Sequence, residues 1–346
     1  MSKILYGVAG EGLGHAARSK VIIEYLQSSG HTVKVVSHDR GYSWLKRHFA
    51  VEEIFGLSFT YSDNEVKYIE TFFKNFLKTP QAVRSIDRVT DIVNEFKPDW
   101  IISDYEPISA LVGNIKRIPV ISINNQHILT RTRIHFPLKY AREAIVAMLV
   151  TRMMIFKAKE YIITSFFPAK IIERRTVLVP PIIRKEVLAM KPTTGDYILV
   201  YLTSNAEHLT TILKQIKQKF IVYGLDKKGK EGNLKFYPFS EEEFLRHFAG
   251  AKAVVANAGL SLISEALYMG KPYLAIPASK QFEQVLNAYY LDKLGYGAML
   301  EELTIEGLAV FLDHLADYRQ QLEQYPRQDN SYLFARLDRL LQKKKV

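Results

Sequence analysis

The chain has 346 residues, a formal net charge of +11, 48% apolar residues and no cysteine. Those numbers exclude a disulfide-stapled fold and a thiolate metal site, and the length suits two domains better than one. No charge-free run approaches the roughly 18 apolar residues of a membrane-spanning helix, and the positive excess suits an anionic partner.

Met1-Ser2-Lys3 leads straight into Ile4–Ala9, which reads as a buried strand. No signal-peptide cleavage pattern precedes it, so a cytoplasmic location is expected. Ala16–Ser28 follows as a helix with Val21, Ile22, Tyr25 and Leu26 on one face. Thr32–Ser37 reads as a second strand, Asp87–Phe96 as a helix that stops at Lys97-Pro98, and Asp99–Ser103 and Pro119–Ile123 as further strands. This rhythm predicts a parallel, doubly wound sheet. Val179-Pro180-Pro181-Ile182-Ile183-Arg184 and Lys191-Pro192-Thr193-Thr194-Gly195 punctuate the chain. The rhythm then restarts with strands at Tyr197–Leu202, Phe220–Tyr223, Leu234–Tyr237, Ala253–Ala256 and Tyr273–Ile276. Residues 1–183 are expected as one domain, 184–195 as a linker and 196–325 as a second domain. Residues 326–346 are expected as a C-terminal helix able to return to the first domain.

The first strand runs into Gly10-Glu11-Gly12-Leu13-Gly14-His15, with a helix directly behind. Glycines permit positive φ and a close backbone approach to a ligand, and a helix N-terminus attracts phosphate or a developing anion. The spacing differs from the G-x-G-x-x-G of dinucleotide sites, although Asp39 sits where such folds carry a ribose-binding carboxylate. Gly10, Gly12, Gly14 and Arg18 are therefore candidates for an acceptor or phosphate loop. His15, at the carboxyl end of the first strand, is a candidate general base, with helix capping as the alternative. Asp104 closes the run Trp100-Ile101-Ile102-Ser103 at the same end of the sheet. It reads either as the partner that orients His15 or as the cap of a helix starting at Pro107.

In the second half, Asn257-Ala258-Gly259-Leu260-Ser261 turns a strand into a helix. The N-terminus of that helix is a diphosphate site in the making, with the Ser261 hydroxyl as an added donor. Glu265 lies one turn on, where its carboxylate can accept ribose hydroxyls. Beyond the helix stop at Gly270-Lys271-Pro272 and the next strand come Gln281, Glu283, Gln284 and Asn287, polar groups suited to sugar hydroxyls.

The run N-A-G-L-S-L-I-S-E-A-L-Y-M-G-K-P-Y-L-A-I-P-A-S-K-Q-F-E-Q-V-L-N-A closely resembles the donor-site signature of GT-B glycosyltransferases. Among these it is similar to the lipid-linked N-acetylglucosaminyltransferase of peptidoglycan synthesis and to antibiotic and glucuronosyl transferases. G-E-G-L-G-H resembles their N-terminal glycine loop, and V-P-P-I-I-R the segment leading into their second domain. The resemblance implies an α/β fold of the GT-B type, with two Rossmann-like doubly wound parallel-sheet domains facing an interdomain cleft. It implies that Gly259 and Ser261, flanked by Asn257 and Leu260, contact the diphosphate and that Glu265 holds the ribose. It further places Phe239 beside the base, and Glu283 and Gln284 on the transferred sugar. Thr203 and Ser204 stand where relatives carry a second glycine-rich loop, and this chain lacks the glycines. His15 and Asp104 match a base and its partner in some of these families.

The activity so implied is transfer of a sugar from a nucleoside-diphosphate sugar, UDP-linked, to a hydroxyl acceptor such as a lipid or a cell-envelope glycan precursor. A single displacement by a hydroxyl inverts the anomeric centre. Fixed N–H dipoles stabilise the leaving diphosphate without a metal, and no Asp-X-Asp occurs in the chain. No cofactor is expected beyond the nucleotide-sugar co-substrate. The alternatives are a nucleotide-sugar epimerase or hydrolase on the same fold, and a non-catalytic nucleotide-sugar-binding protein. An NAD-dependent oxidoreductase is opposed by the donor run.

Thr130–Tyr161 mixes Arg131, Arg133, Lys139, Arg142, Arg152, Lys157 and Lys159 with Ile134, Phe136, Leu138, Ile145, Met148, Leu149, Met153 and Phe156. Such a mix attracts anionic lipid, or it is an amphipathic helix packed on the sheet. Lys67–Arg84, with Phe72, Phe73, Phe76 and Leu77, repeats the pattern. The expected partners are thus the nucleotide-sugar donor, a lipid-linked hydroxyl acceptor and an anionic membrane surface that the protein meets peripherally. No nucleic-acid-binding module is recognised.

Overall fold

The computed structural model describes residues 1–56, 79–155, 157–202, 206–278 and 281–342. It divides into two compact units, Met1–Ile182 with Asp329–Val346, and Ile183–Gln328.

The first unit contains β1 (Lys3–Val8), β2 (Thr32–Ser37), β3 (Val51–Glu53), β4 (Trp100–Asp104), β5 (Val120–Asn124), β6 (Thr132–Arg133), β7 (Glu160–Thr164), β8 (Lys170–Ile171) and β9 (Thr176–Val179). Seven of them form a parallel sheet in the order β3-β2-β1-β4-β5-β7-β9, and β6 and β8 make a small antiparallel ribbon. β4 and β5 are buried at every position, as expected where helices cover both faces of a parallel sheet. Side chains alternate between the faces. Ile4, Tyr6 and Val8 pack with Ile22 and Leu26 of the helix Leu13–Ser28, whereas Leu5 and Ile101 pack with Val89 and Val93 of the helix Thr79–Phe96.

The C-terminal helix Ser331–Gln342 belongs to the first of these layers through Leu333, Leu337, Leu340 and Leu341. Burying each such leucine stabilises by about 1.5–3 kcal/mol. Tyr25 adds a hydrogen bond to Asp338 Oδ2 of 2.7 Å and stacks on Phe334 at 3.8 Å.

The second unit contains β10 (Tyr197–Tyr201), β11 (Lys219–Tyr223), β12 (Gly229–Glu231), β13 (Leu234–Phe236), β14 (Ala253–Asn257), β15 (Tyr273–Ile276) and β16 (Gly297–Met299). Their order is β12-β13-β11-β10-β14-β15-β16, parallel throughout except for the β12–β13 edge. Residues 183–195 pack as part of this unit. Thr193 N–H donates to Ala249 O at 3.0 Å, and the buried Lys271 ammonium donates to Ala251 O at 2.8 Å and to Thr193 O.

Each sheet reverses its progression near its middle, between β1 and β4 in the first and between β10 and β14 in the second. Open α/β sheets bind ligands at the carboxyl ends of the strands beside such a reversal. The strand ends of β1 and β4, and of β10 and β14, are therefore the candidate ligand-binding positions. No helix among the described residues is long and apolar enough to cross a membrane.

Candidate active site

Gly12, at φ +105°, reverses the chain, and the helix begins at Leu13, three residues earlier than the sequence pattern predicts. Gly14 lies inside the first turn and His15 is the third helical residue. The pattern missed this start because Leu13-Gly14 carries no apolar periodicity, while the positive φ of Gly12 initiates the helix. His15 and Arg18 consequently share one helix face. Parallel register sets Val8 beside Asp104, so this face meets the end of β4.

Asp104 is wholly buried. His15 Nδ1 lies 2.8 Å from its Oδ1, and Arg18 Nε and Ser19 Oγ donate to Oδ2 at 2.7 and 3.0 Å. Arg18 Nη2 also donates to Oδ1, and Nη1 donates to Asn125 Oδ1 at 2.7 Å. Burial alone would push the Asp104 carboxyl up; the Arg18 charge and then His15 outweigh it and hold the group at about 2. An ionised carboxylate only accepts and so favours a proton on Nδ1, whereas Arg18 Nη2, which only donates, lies 2.7 Å from the same nitrogen. Gln126 Nε2 lies 3.4 Å from that Nε2, and the Tyr105 ring stacks on His15 at 6.2 Å. The capping role weighed for Asp104 is filled by Glu106, which accepts from Ile108 N–H at 2.8 Å and Ser109 N–H at 2.7 Å.

The glycine loop is braced from behind. Gly10 N–H donates to His38 Nε2 at 2.9 Å, and His38 Nδ1 donates to Asp39 Oδ2 at 2.9 Å. A Cβ on Gly10 would run into the His38 backbone, so close approach requires glycine here. Gly12 N–H donates to Gly10 O at 3.0 Å. The amides of Gly10 and Gly12 thus hold the loop's own shape. The helix start at Leu13–His15 is where an α-helix leaves N–H groups without intrahelical acceptors.

In the second unit, β14 ends at Asn257, whose amide donates to Ile276 O at 3.0 Å. Tyr273 OH donates to Asn257 O at 2.6 Å, and the buried Asn287 donates to Ala258 O at 3.1 Å. Gly259 caps the helix Leu260–Tyr268 with φ −70°, and a Cβ there would meet nothing within 4 Å. Neither backbone strain nor packing within the chain requires glycine at this point. Leu260 is buried and Ser261 half-buried.

Glu265 is buried and bound on both oxygens by Arg184, Nε to Oε1 and Nη2 to Oε2, each at 2.7 Å. Arg184 Nη1 reaches Glu241 Oε1 at 2.8 Å. Burial works against the guanidinium charge, and Glu265 with Glu241 more than restores it. Phe239 is 49% exposed and stacks on Tyr201 at 5.9 Å. Gln284 Oε1 accepts from Ala278 N–H at 3.0 Å and its Nε2 donates to Gln281 Oε1 at 2.5 Å, which shapes the loop after β15. Glu283 is half-buried in the first turn of the helix Phe282–Lys293. Thr203 and Ser204 lie outside the described residues.

The model of glycosyl transferase family 1 matches residues 2–316. The chain belongs to glycosyl transferase family 1. This glycosyltransferase is 23% identical to an uncharacterized glycosyltransferase of Methanosarcina acetivorans, over 94% of its own chain and 93% of the relative. It is also 23% identical to the UDP-N-acetylglucosamine–N-acetylmuramyl-(pentapeptide) pyrophosphoryl-undecaprenol N-acetylglucosamine transferase of Thermotoga neapolitana, over 66% of this chain and 67% of that one. Among solved structures, the glycosyltransferase of kitacinnamycin superposes with a TM-score of 0.71 at 15% identity, covering 100% of this chain and 99% of that one. The fold is GT-B, and the enzyme depends on a nucleotide-sugar donor.

Several residues of this glycosyltransferase that shape the two sites carry no motif signal. Ser19, Asn125 and His38 are ordinary polar residues in sequence, and only the closing of the sheet brings them to Asp104, Arg18 and Gly10. Arg184 follows the Pro-Pro pair and gives no local hint that it will meet Glu265, 81 positions away.

Proposed function

We propose that this glycosyltransferase moves a sugar from a UDP-linked donor to a hydroxyl acceptor in one inverting displacement, with His15 as general base. The observation that carries the proposal is the 2.8 Å contact of His15 Nδ1 with buried Asp104, which favours Nε2 as the proton acceptor. The acceptor oxygen bonds to the anomeric carbon as its proton passes to Nε2. The bond from that carbon to the diphosphate oxygen breaks, and UDP leaves with the electron pair. In this reading the amides at Gly259–Ser261 face the diphosphate, contributing ~0.3–2 kcal/mol through the helix dipole. Glu265, held in place by Arg184, accepts the ribose hydroxyls. Phe239 lies against the base, Glu283 and Gln284 serve the transferred sugar, and Thr203 and Ser204 serve the diphosphate.

The acceptor in this reading is lipid-linked, and the enzyme works peripherally on an anionic cytoplasmic membrane face. Two facts support it: the likeness to a transferase acting on a pyrophosphoryl-undecaprenol substrate, and an exposed apolar and basic helix face in the first unit. A thermal-shift screen of nucleotide-sugars identifies the donor, since a ligand of the folded state raises the melting temperature. His15→Ala is then expected to leave donor affinity nearly intact and to lower turnover by ~10²–10⁴-fold. Near-normal turnover would transfer the base role to another residue, and collapse of donor affinity would make His15 a ligand instead.

A further inference from the structure

Glu265 lies in the helix Leu260–Tyr268 and is 2% exposed. A planar fork meets its carboxylate: Arg184 Nε donates to Oε1 and Nη2 to Oε2, each at 2.7 Å. The third nitrogen of that guanidinium, Nη1, donates at 2.8 Å to Oε1 of Glu241, the first residue of the helix Glu241–Gly250. The backbone that carries Arg184 is anchored by buried Ile183 before it and buried Val187 after it. All of these residues belong to the second unit.

A carboxylate offers lone pairs on both oxygens, enough for two donors at each. The fork takes one position on Oε1 and one on Oε2, and leaves one on each, side by side. A vicinal diol, such as the 2′ and 3′ hydroxyls of ribose, brings two donors at a matching spacing. A 2′-deoxyribose brings one, so an acceptor position inside the site goes unmade, which is costly. Direction matters as much as number. A free glutamate turns about several torsions, whereas one gripped on both oxygens has lost that freedom before any ligand arrives. A lysine in place of Arg184 would supply the charge as a single point and could not fix both oxygens at once. Through Nη1 the same guanidinium ties this helix to the start of the helix that follows Phe239 by two residues. The ribose side and the base side of the proposed donor site are thereby joined by one side chain.

We infer that Arg184 is a positioning residue for the donor: its grip on Glu265 aims the remaining lone pairs at a vicinal diol, and so selects a ribonucleoside diphosphate over its 2′-deoxy counterpart. The inference rests on the reading of Glu265 as the ribose acceptor, and adds what orients that acceptor and which sugar it selects.

The test is titration calorimetry of the full chain with UDP and with 2′-deoxyuridine 5′-diphosphate. Wild type is expected to bind UDP about tenfold or more tightly than the deoxy nucleotide, the size of one hydrogen bond to a charged group. In Arg184→Lys, which keeps the charge and loses the fork, the preference should fall to about threefold or less, with the loss on the UDP side. Arg184→Met should behave alike, and Arg184→Lys carries the test where Arg184→Met fails to fold. A folded variant that keeps the wild-type preference overturns the inference. So does an equal loss of affinity for both nucleotides, which is what general damage to the site produces. Glu265→Gln, with a single acceptor oxygen, should also lose the preference. If it does not, or if wild type shows none, the ribose reading of Glu265 fails and the inference falls with it. If Glu265→Gln loses the preference while Arg184→Lys keeps it, the reading of Glu265 stands and the role of Arg184 alone is overturned.

Discussion

At the scale of single residues, two buried groups make the fold sensitive to acid. Burial, reinforced by the Arg131 charge, lowers His127 from 6.5 to about 3, so the native state refuses a proton that the unfolded chain accepts. Stability from this group is complete above pH 6.5 and declines as pH falls toward 3. Asp104 lies below its ordinary 3.8, at about 2, because Arg18 and His15 outweigh its burial. Its contribution, roughly 2 kcal/mol, is present above that ordinary value and is lost as pH falls through 2. Urea unfolding at a series of pH values should therefore show stability declining first below 6.5, with His127→Gln flattening the slope between 6.5 and 4. An unchanged slope in His127→Gln would remove that histidine from the account. The chemistry of such residues was partly legible beforehand. A histidine behind a glycine loop and an aspartate at a strand end stand out in any α/β sequence. Which group would cap the helix at Pro107 was not legible, because Asp104 and Glu106 are both carboxylates within reach of it.

At the scale of elements, the two candidate sites are alike: each is a strand end, a glycine and a helix start beside the reversal of its sheet. The glycines differ in physical cause. Gly12 needs φ +105°, and Gly10 needs room against His38, whereas Gly259 needs neither. In the proposed function Gly259 serves the donor diphosphate at this helix end, where anions are attracted. Gly259→Asp separates the two demands. Aspartate is a good N-cap and suits the positive helix end, so thermal stability should hold or rise. The same charge repels a diphosphate, so UDP affinity measured by calorimetry should fall by tenfold or more. Unchanged UDP affinity would remove the diphosphate from this helix end. The strands read from sequence lie within a residue or so of those observed, because they are apolar β-branched runs with clear ends, but the short or polar-edged β3, β7, β9, β12 and β16 do not read as strands. The start of the helix at Leu13 was not, since it depends on one backbone dihedral.

At the scale of the whole molecule, the helix Ala141–Met154 buries Ala144, Thr151 and Met154 yet leaves Ile145, Leu149 and Met153 exposed, with Leu138 exposed just before it. Arg142 and Arg152 are exposed along the same helix. Arg131, counted with this basic stretch in the sequence, is occupied elsewhere, with its guanidinium 3.5 Å from the Tyr161 ring. Phe156 and residues 67–78 of the second basic stretch lie outside the described residues. If this face meets lipid, the protein should sediment with phosphatidylglycerol vesicles at low salt and be released at high salt, because screening weakens attraction between surface charges. Equal sedimentation with neutral vesicles, or none with either, would count against a membrane role for this face. What the sequence determined by itself was everything carried by local signals: the alternation of strands and helices, the glycine loop, the donor run and through them the family. What only the tertiary structure decided was every pairing between distant side chains. Arg18 and Asp104 are 86 positions apart, Arg184 and Glu265 are 81, and Tyr25 meets Asp338 across 313. Such pairs leave no trace in periodicity or spacing, because an ion pair or a buried hydrogen bond depends on two side chains arriving at one point, and the packing of helices and loops on the ordered strands brings them there.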